Sequence, residues 1–413
     1  MSKVYKIWVT SSFLLAMTFF GLLVQAQAPH LFEHTYPVVH QEDMDIRNLM
    51  DRVSIDSLEA TIEHMQSYQN RLWNTPNVYQ VQDWLYGKYV ALGIDSVYLH
   101  DFQFVYHDTL RETSDNVIAI QRGVRYPDEY VVIGAHYDSF NKNGGDPDEM
   151  RAPGADDNAS GVAGVMEIAR LLKPCTFERS IIYCGWAAEE VGLKGSEAFA
   201  QDCAARLEDI VGYFNLDMIG YLKEGSDIHV HLLYTTQDST IANYVFNLSN
   251  VYFPEMPIGQ NWLPWGDSDY SSFNRSGYAA VHTFEDTHHS SPFIHTTSDV
   301  LGVSVNNMAQ VKRFTELNLG LVATLAGLVS NGVDDTPDES FTVYPNPASG
   351  LIIVKGISMT AVSVYNLMGQ QVISQTVTGD DYEIDVSPLV SGIYFVRVES
   401  EVGNYYTMKF VKE

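Results

Sequence analysis

The sequence predicts an α/β fold, an open and mostly parallel sheet with helices on both faces, followed by a small C-terminal β-sandwich. Three observations carry this reading. Short β-branched runs at 130–135, 180–186 and 211–216 alternate with segments of helical apolar spacing, the pattern of a parallel sheet. Each run leads into a residue able to bind a cation, and open α/β sheets gather their functional groups beyond the carboxyl ends of strands. After residue 340 the helical spacing stops, and short β-branched segments separated by turn residues replace it.

Taken in order, the chain begins with an export signal. Lys3 and Lys6 precede an apolar stretch over 7–24, and Ala26-Gln27-Ala28 offers small residues for cleavage, so 1–28 reads as a signal peptide. The stretch is short for a spanning helix and ends in small residues rather than charge. No stable membrane span is therefore expected after signal removal. Segments 56–70 and 78–92 have helical charge and apolar spacing, and belong with the domain expected over 46–332.

The run at 130–135 ends on His136, with Asp138 two residues on and placed to orient the ring. A metal-bound histidine normally donates its other N–H to such a partner. Next, Gly154-Ala155-Asp156-Asp157-Asn158-Ala159-Ser160-Gly161 opens a helical pattern over 162–172. Acids at a helix entrance cap N–H groups and complement the dipole, and Asp156 is read that way. Asp157 differs by its company: one carboxylate can bridge two metal ions about 3.5–4 Å apart. The run at 180–186 continues into Glu189 and Glu190. Neighbours on extended backbone point to opposite sides, so one of the pair is expected to bind metal and the other to stay free as a base. Asp217 closes the third run, and His295 lies in a polar loop over 293–299. Each setting has an ordinary explanation alone; together they converge on one sheet edge and point to a metal centre.

These blocks carry a resemblance. His136-Tyr137-Asp138-Ser139, the 154–161 block, Ala187-Ala188-Glu189-Glu190-Val191-Gly192-Leu193-Lys194-Gly195-Ser196, Asn215-Leu216-Asp217-Met218 and Ile294-His295-Thr296-Thr297 together resemble the secreted double-zinc aminopeptidases, over roughly 46–332. The resemblance implies two zinc ions, one held by His136, Asp157 and Asp217, the other by Asp157, Glu190 and His295. It also implies Glu189 as general base and Asp138 as the partner of His136. Such a base takes a proton from the attacking water and returns it to the leaving amine, while zinc brings the water's pKa from about 15.7 to about 7.

The chain departs from that pattern in one loop. Some relatives place a tyrosine that stabilises the tetrahedral intermediate before a Ser-Asp-His step; here the loop reads Pro264-Trp265-Gly266-Asp267-Ser268-Asp269-Tyr270, with Trp265 in the tyrosine's place. The relatives' paired cysteines in that loop are also missing. Specificity is expected from the loops over 222–286, with Trp262, Trp265, Tyr270 and Phe273. The rival enzyme is a glutaminyl cyclase, similar in fold with a single zinc, followed by a carboxypeptidase-like relative. From another class, an inactive metal-bearing binding protein is the rival, and intact Glu189 speaks against it.

Composition narrows the partners. Lys and Arg number 24 against 52 Asp and Glu, a net charge of −28, which argues against nucleic acid or anionic membrane and favours peptides presenting a cationic amino end. Three cysteines, Cys175, Cys184 and Cys203, allow at most one internal disulfide and read as buried apolar residues. The acidic, breaker-rich 333–340 reads as a linker.

Beyond it, strands are expected at 351–354, 361–365, 371–373, 393–398 and 405–411. Val343-Tyr344-Pro345-Asn346-Pro347, Val364-Tyr365-Asn366-Leu367-Met368-Gly369-Gln370, Gly392-Ile393-Tyr394-Phe395-Val396-Arg397-Val398 and Lys409-Phe410-Val411-Lys412 resemble the C-terminal sorting domain of the type IX secretion system, over 341–413. That resemblance implies passage across the outer membrane, release or retention at the cell surface, and the secretion machinery as a partner beside the peptide substrates. A carbohydrate-binding or spacer module is the alternative, and the tail lacks a clear aromatic platform for it.

Overall fold

The computed structural model describes residues 29–143, 150–262, 267–329, 342–366, 370–400 and 405–413. The expected signal at 1–28, the linker at 333–340 and Trp265 lie outside these residues.

Three helices come first: α1 (Met44–Asp51), α2 (Ile55–Ser67) and α3 (Pro76–Leu92). Sequence spacing finds the second and third but not α1, a two-turn helix whose Asp43 cap accepts the N–H groups of Asp45 and Ile46. Proline opens α3 and Gly93 closes it at φ 72°, a conformation that costs glycine little. The chain then runs through β1 (Ser96–His100), β2 (Gln103–Tyr106), β3 (Thr109–Glu112), β4 (Asn116–Gln121), β5 (Tyr126–His136), α4 (Gly161–Leu172), β6 (Thr176–Phe177) and β7 (Arg179–Trp186). It continues with α5 (Lys194–Arg206), β8 (Asp209–Leu216), β9 (Val230–Tyr234), α6 (Ser239–Tyr252), β10 (Ile258–Trp262), α7 (Tyr270–Arg275), β11 (Ala280–Phe284), α8 (Met308–Ala326) and β12 (Leu328–Val329).

Eight strands form one sheet in the order β1-β4-β7-β5-β8-β11-β9-β10. The four central strands, β7, β5, β8 and β11, are mutually parallel. Antiparallel pairing enters only at β1, at β4 and where β9 meets β11. Burial on both faces explains the unbroken apolar runs that mark the central strands in sequence. Successive residues serve opposite faces: Val131 and Ile133 join a core with α4 and α8, whereas Val132 joins a second core with Phe199 of α5 and Phe273 of α7. The sheet therefore carries helices on both sides. Cys184 and Cys203 are buried in the second core, and all three cysteines are free thiols.

The C-terminal residues fold as β13 (Thr342–Tyr344), β14 (Leu351–Asn366), β15 (Gln371–Asp385), β16 (Gly392–Ser400) and β17 (Tyr405–Lys412), all antiparallel. The segments expected separately at 351–354 and 361–365 are one strand of 16 residues. Register shifts around Met359 bend β14, so its first half pairs with β13 and its second with β16 while β15 follows along the other edge. Ala348 hydrogen-bonds to the end of β17, which curls this single sheet toward closure as a near-barrel around Ile352, Val354, Val364, Val396 and Phe410.

Candidate metal centre

The order of strands brings three of the sequence-predicted settings side by side. β5 lies between β7 and β8, so His136 at its end, the chain leaving β7 and Asp217 just past β8 share one sheet edge. Asp157 sits in the tight turn Ala155–Ser160 before α4, and His295 sits in a loop at φ 57°. The strand β7 ends at Trp186, short of the glutamates, and Ala188 turns the chain at φ 53°. Glu189 and Glu190 thus diverge because of a turn, not because of strand alternation. Asp138 holds that turn: its two oxygens accept the N–H groups of Glu189 and Glu190 at 3.1 and 3.2 Å.

The side chains converge. His136 Nε2 is 3.2 Å from Asp157 Oδ1, 3.4 Å from Asp217 Oδ1 and 3.9 Å from Glu189 Oε2. His295 Nε2 is 2.9 Å from both Asp157 Oδ2 and Glu190 Oε2. The two oxygens of Asp157 therefore face two different imidazoles. Asp138 Oδ1 lies 3.4 Å from His136 Nδ1. Glu190 Oε1, Asp217 Oδ1 and both ring nitrogens of His136 are buried without a hydrogen-bond partner. Buried polar atoms are rarely left so, and these belong to residue types that bind divalent ions.

Electrostatics agree with a cation site. Burial, with Asp157 adding repulsion, pushes Glu190 up to about 8. Burial likewise holds Glu189 well above the usual carboxylate range. Burial alone would lower His295, but its bonds to Asp157 and Glu190 raise it to about 10. Asp157 resists the upward push of burial because His136 and His295 hold it well below its ordinary value. Glu189, Glu190, His136 and His295 are thus all shifted toward holding protons, which a divalent cation would displace.

A second layer positions these groups, and most of it is invisible in local sequence. The Asp299 carboxylate accepts the N–H groups of Asp156 at 2.8 Å and Asp157 at 3.2 Å. Asp156 is not a helix cap. It is fully buried and accepts the Gly220 N–H at 2.8 Å, tying the turn to the chain beyond β8. The side chain of Asn158 bridges Leu216 O and Gly161 N, and a Cβ at Gly161 would strike both Asn158 and Leu216 O. Only glycine lets the turn pass so close to β8. From Trp186 a chain of donors runs through Tyr213, Asn215 and Ser268 to Asp217 Oδ2, ending in a 2.6 Å bond. Arg71, fully buried, donates to the carbonyls of Tyr137 and Gly154, bracketing the segments that carry His136 and Asp157.

A cavity of about 830 Å³ opens beside this cluster, with Leu193, Met218, Leu233, Phe284 and Ile294 on its apolar wall. Tyr270 and Phe273, expected among the specificity loops, are instead fully buried in the core under α7. Their aromatic character fills the second core and leaves the cavity wall to aliphatic residues and Phe284.

An open sheet with clustered imidazoles and carboxylates at its strand ends, beside an apolar cavity, is the architecture of a metallohydrolase. Residues 116–319 match Peptidase family M28 and are a domain of that family. Residues 342–413 are a secretion system C-terminal sorting domain, which directs the chain through type IX export across the outer membrane. Among curated relatives, leucine aminopeptidase 1 of Fusarium vanettenii is 28% identical over 302 residues, covering 68% of this chain and 72% of its own. Among solved structures, LapA of Legionella pneumophila superposes with a TM-score of 0.60 at 25% identity, over 71% of this chain and 79% of that one. A glutaminyl cyclase of Bacteroides thetaiotaomicron, bound to N-acetylhistamine, superposes with a TM-score of 0.54 at 20% identity, over 65% and 97%. That likeness is one of fold, and fold does not choose between hydrolysis and cyclisation. Among the described residues, no helix is long and apolar enough to cross a membrane.

Proposed function

We propose that the chain is an exported zinc-dependent aminopeptidase that removes N-terminal residues from peptides. The observation that carries this reading is Asp157, whose two oxygens face two separate imidazoles. His136, Asp157 and Asp217 would hold one ion, and Asp157, Glu190 and His295 the other. Mixed imidazole and carboxylate donors suit zinc better than calcium or magnesium, which take all-oxygen sites. Bound there, zinc supplies Lewis acidity, making water a nucleophile at neutral pH and polarising the peptide carbonyl.

Glu189 supplies the base. Its burial raises its proton affinity, so it accepts a proton from the attacking water and delivers it to the leaving amine. Asp138 keeps it aimed by holding its backbone N–H. The acidic cluster attracts the substrate's cationic amino end, and the apolar wall accepts an apolar first side chain. Residues 1–28 serve as the signal, 46–332 as the catalytic domain, 333–340 as the linker and 341–413 as the sorting domain.

Zinc titration of the metal-stripped protein tests the centre. Two equivalents are expected at this centre, with activity restored and protons released. The sign follows from His295: raised to about 10, it is protonated at neutral pH without metal, and it must lose that proton to coordinate. Apparent affinity should fall as pH drops, and calorimetry in buffers of different ionisation enthalpy would count the protons. Full activity, with this centre filled, at a single equivalent would favour the cyclase reading.

Deleting 341–413 is expected to leave peptide hydrolysis intact in protein made in the cytoplasm, yet to stop the native host exporting it past the outer membrane. None of the site residues lies in that segment. A folded truncate without activity would show instead that the tail helps build the site.

A further inference from the structure

We propose that His229, His231 and Asp286 form a third transition-metal site, at the rim of the cavity and separate from the peptidase centre. The pairing of strands creates it. β9 runs antiparallel to β11 with His231 opposite Phe284, so two further steps along each chain set His229 opposite Asp286. Residues two apart on a strand share a face, which puts both imidazoles on the side of that carboxylate. His229 Nε2 is 3.4 Å from Asp286 Oδ2, and His231 Nε2 is 3.9 Å from Asp286 Oδ1. The three ligand atoms lie within 4.8 Å of one another.

Two more imidazoles stand by. His289 Nδ1 is 2.7 Å from Asp286 Oδ2 and the exposed His288 Nδ1 is 3.5 Å from Oδ1, both beside the same carboxylate. The His229 tautomer fits as well. The Nδ1–H of His229 donates to Asp227 O at 2.9 Å, which leaves the Nε2 lone pair aimed at the site. His231 Nδ1 accepts the Thr287 N–H at 3.0 Å, which leaves its proton on Nε2, so a metal there would displace that proton.

Occupancy would staple β9 to the segment 286–289. Thr287 and His288 of that segment line the cavity, and the same loop continues to Ile294 and His295. A metal here would set the position of the cavity wall without touching the reacting atoms. Nitrogen-rich donors of this kind select zinc, copper or nickel over calcium or magnesium.

The test compares zinc content of the full chain, metal-stripped and then dialysed against zinc, with that of the double variant His229→Ala/His231→Ala. The variant should hold one equivalent fewer, whatever number the peptidase centre takes, so a failure of the two-ion reading above would not mask the result. Zinc should also slow amide exchange over 286–289 in the unaltered protein and not in the variant. Should the double variant fail to fold, Asp286→Asn keeps the size and an acceptor for the His288 N–H but removes the anionic ligand, and the same loss of one equivalent is expected. Equal zinc content in the unaltered protein and a folded variant would overturn the site. Loss of more than one equivalent would overturn its separateness from the peptidase centre.

Discussion

Glu189→Gln is expected to lower turnover by a factor of about 10²–10⁴ or more while zinc content stays unchanged. Glu190→Gln is expected to lower zinc content itself. Glu190 Oε2 stands 2.9 Å from His295 Nε2 and its other oxygen is buried without a partner, the posture of a ligand. Glu189 Oε2 is more distant, 3.9 Å from His136 Nε2, and faces the cavity. Glutamine preserves size and a carbonyl but cannot take a proton, so kcat should collapse with KM little changed. Proximity also groups Glu189 with His136 and Asp217, which would make it a ligand. Metal analysis of the two variants separates these assignments: zinc lost from Glu189→Gln and retained by an inactive Glu190→Gln would reverse them. If neither substitution affected turnover, the hydrolase reading would fail.

The parts of this site that sequence reveals are those announced by a change of local pattern. His136 and Asp217 follow β-branched runs, and both sit where their strands stop. Asp157 stands at the entrance of α4, whose apolar spacing is plain over 162–172. The Glu189–Glu190 pair was legible as a pair, but the reason for its divergence was not. A strand pattern gives no sign that the chain turns after Trp186, because the turn depends on Asp138, about 50 positions earlier, accepting both amides. Likewise nothing local identifies Asp299 as the acceptor for Asp157, 142 positions away, or Ser268 as the donor to Asp217. Such contacts exist only after the sheet assembles, and their residue types are common on surfaces.

The same distinction explains the fold-level differences. Helices α2 and α3 show periodicity over three or more turns, whereas α1 is too short to show it. In the tail, the polar and glycine residues around 355–360 read as a turn, yet they sit at the bend of β14 and keep its two halves in one strand. A bulge and a turn use similar residues, and pairing with β15 decides between them. Asp156 departs from the expected capping role for a related reason. Acids in first turns commonly cap helices, but here the Gly220 N–H arrives from the chain beyond β8 to take the carboxylate, and the residue is buried.

Asp157→Ala is expected to have the broadest effect of any single change at the centre: loss of both zinc ions, and loss of turnover at least as deep as in Glu189→Gln. The argument rests on geometry. His295→Ala removes a ligand from one set and should cost one ion, because His136, Asp157 and Asp217 remain together. Removing Asp157 instead takes an oxygen from each set, since Oδ1 faces His136 and Oδ2 faces His295. Each set is then left with two donors, fewer than the three protein ligands that catalytic zinc sites normally keep. Stability reports the same loss without any substrate. An ion that binds only the folded chain stabilises it by about 2.7 kcal/mol at a free concentration 100 times its Kd, hence about 5 kcal/mol for two independent ions. Measured in the His229→Ala/His231→Ala background, so that the rim site adds nothing, this zinc-dependent stabilisation should vanish in Asp157→Ala, whereas His295→Ala should keep about half of it. Denaturant midpoints measured with zinc and with chelator would show the difference. A variant that lost Asp157 but still gained half the stabilisation would mean that one ion binds without it, and that the two imidazoles do not share this carboxylate through metal.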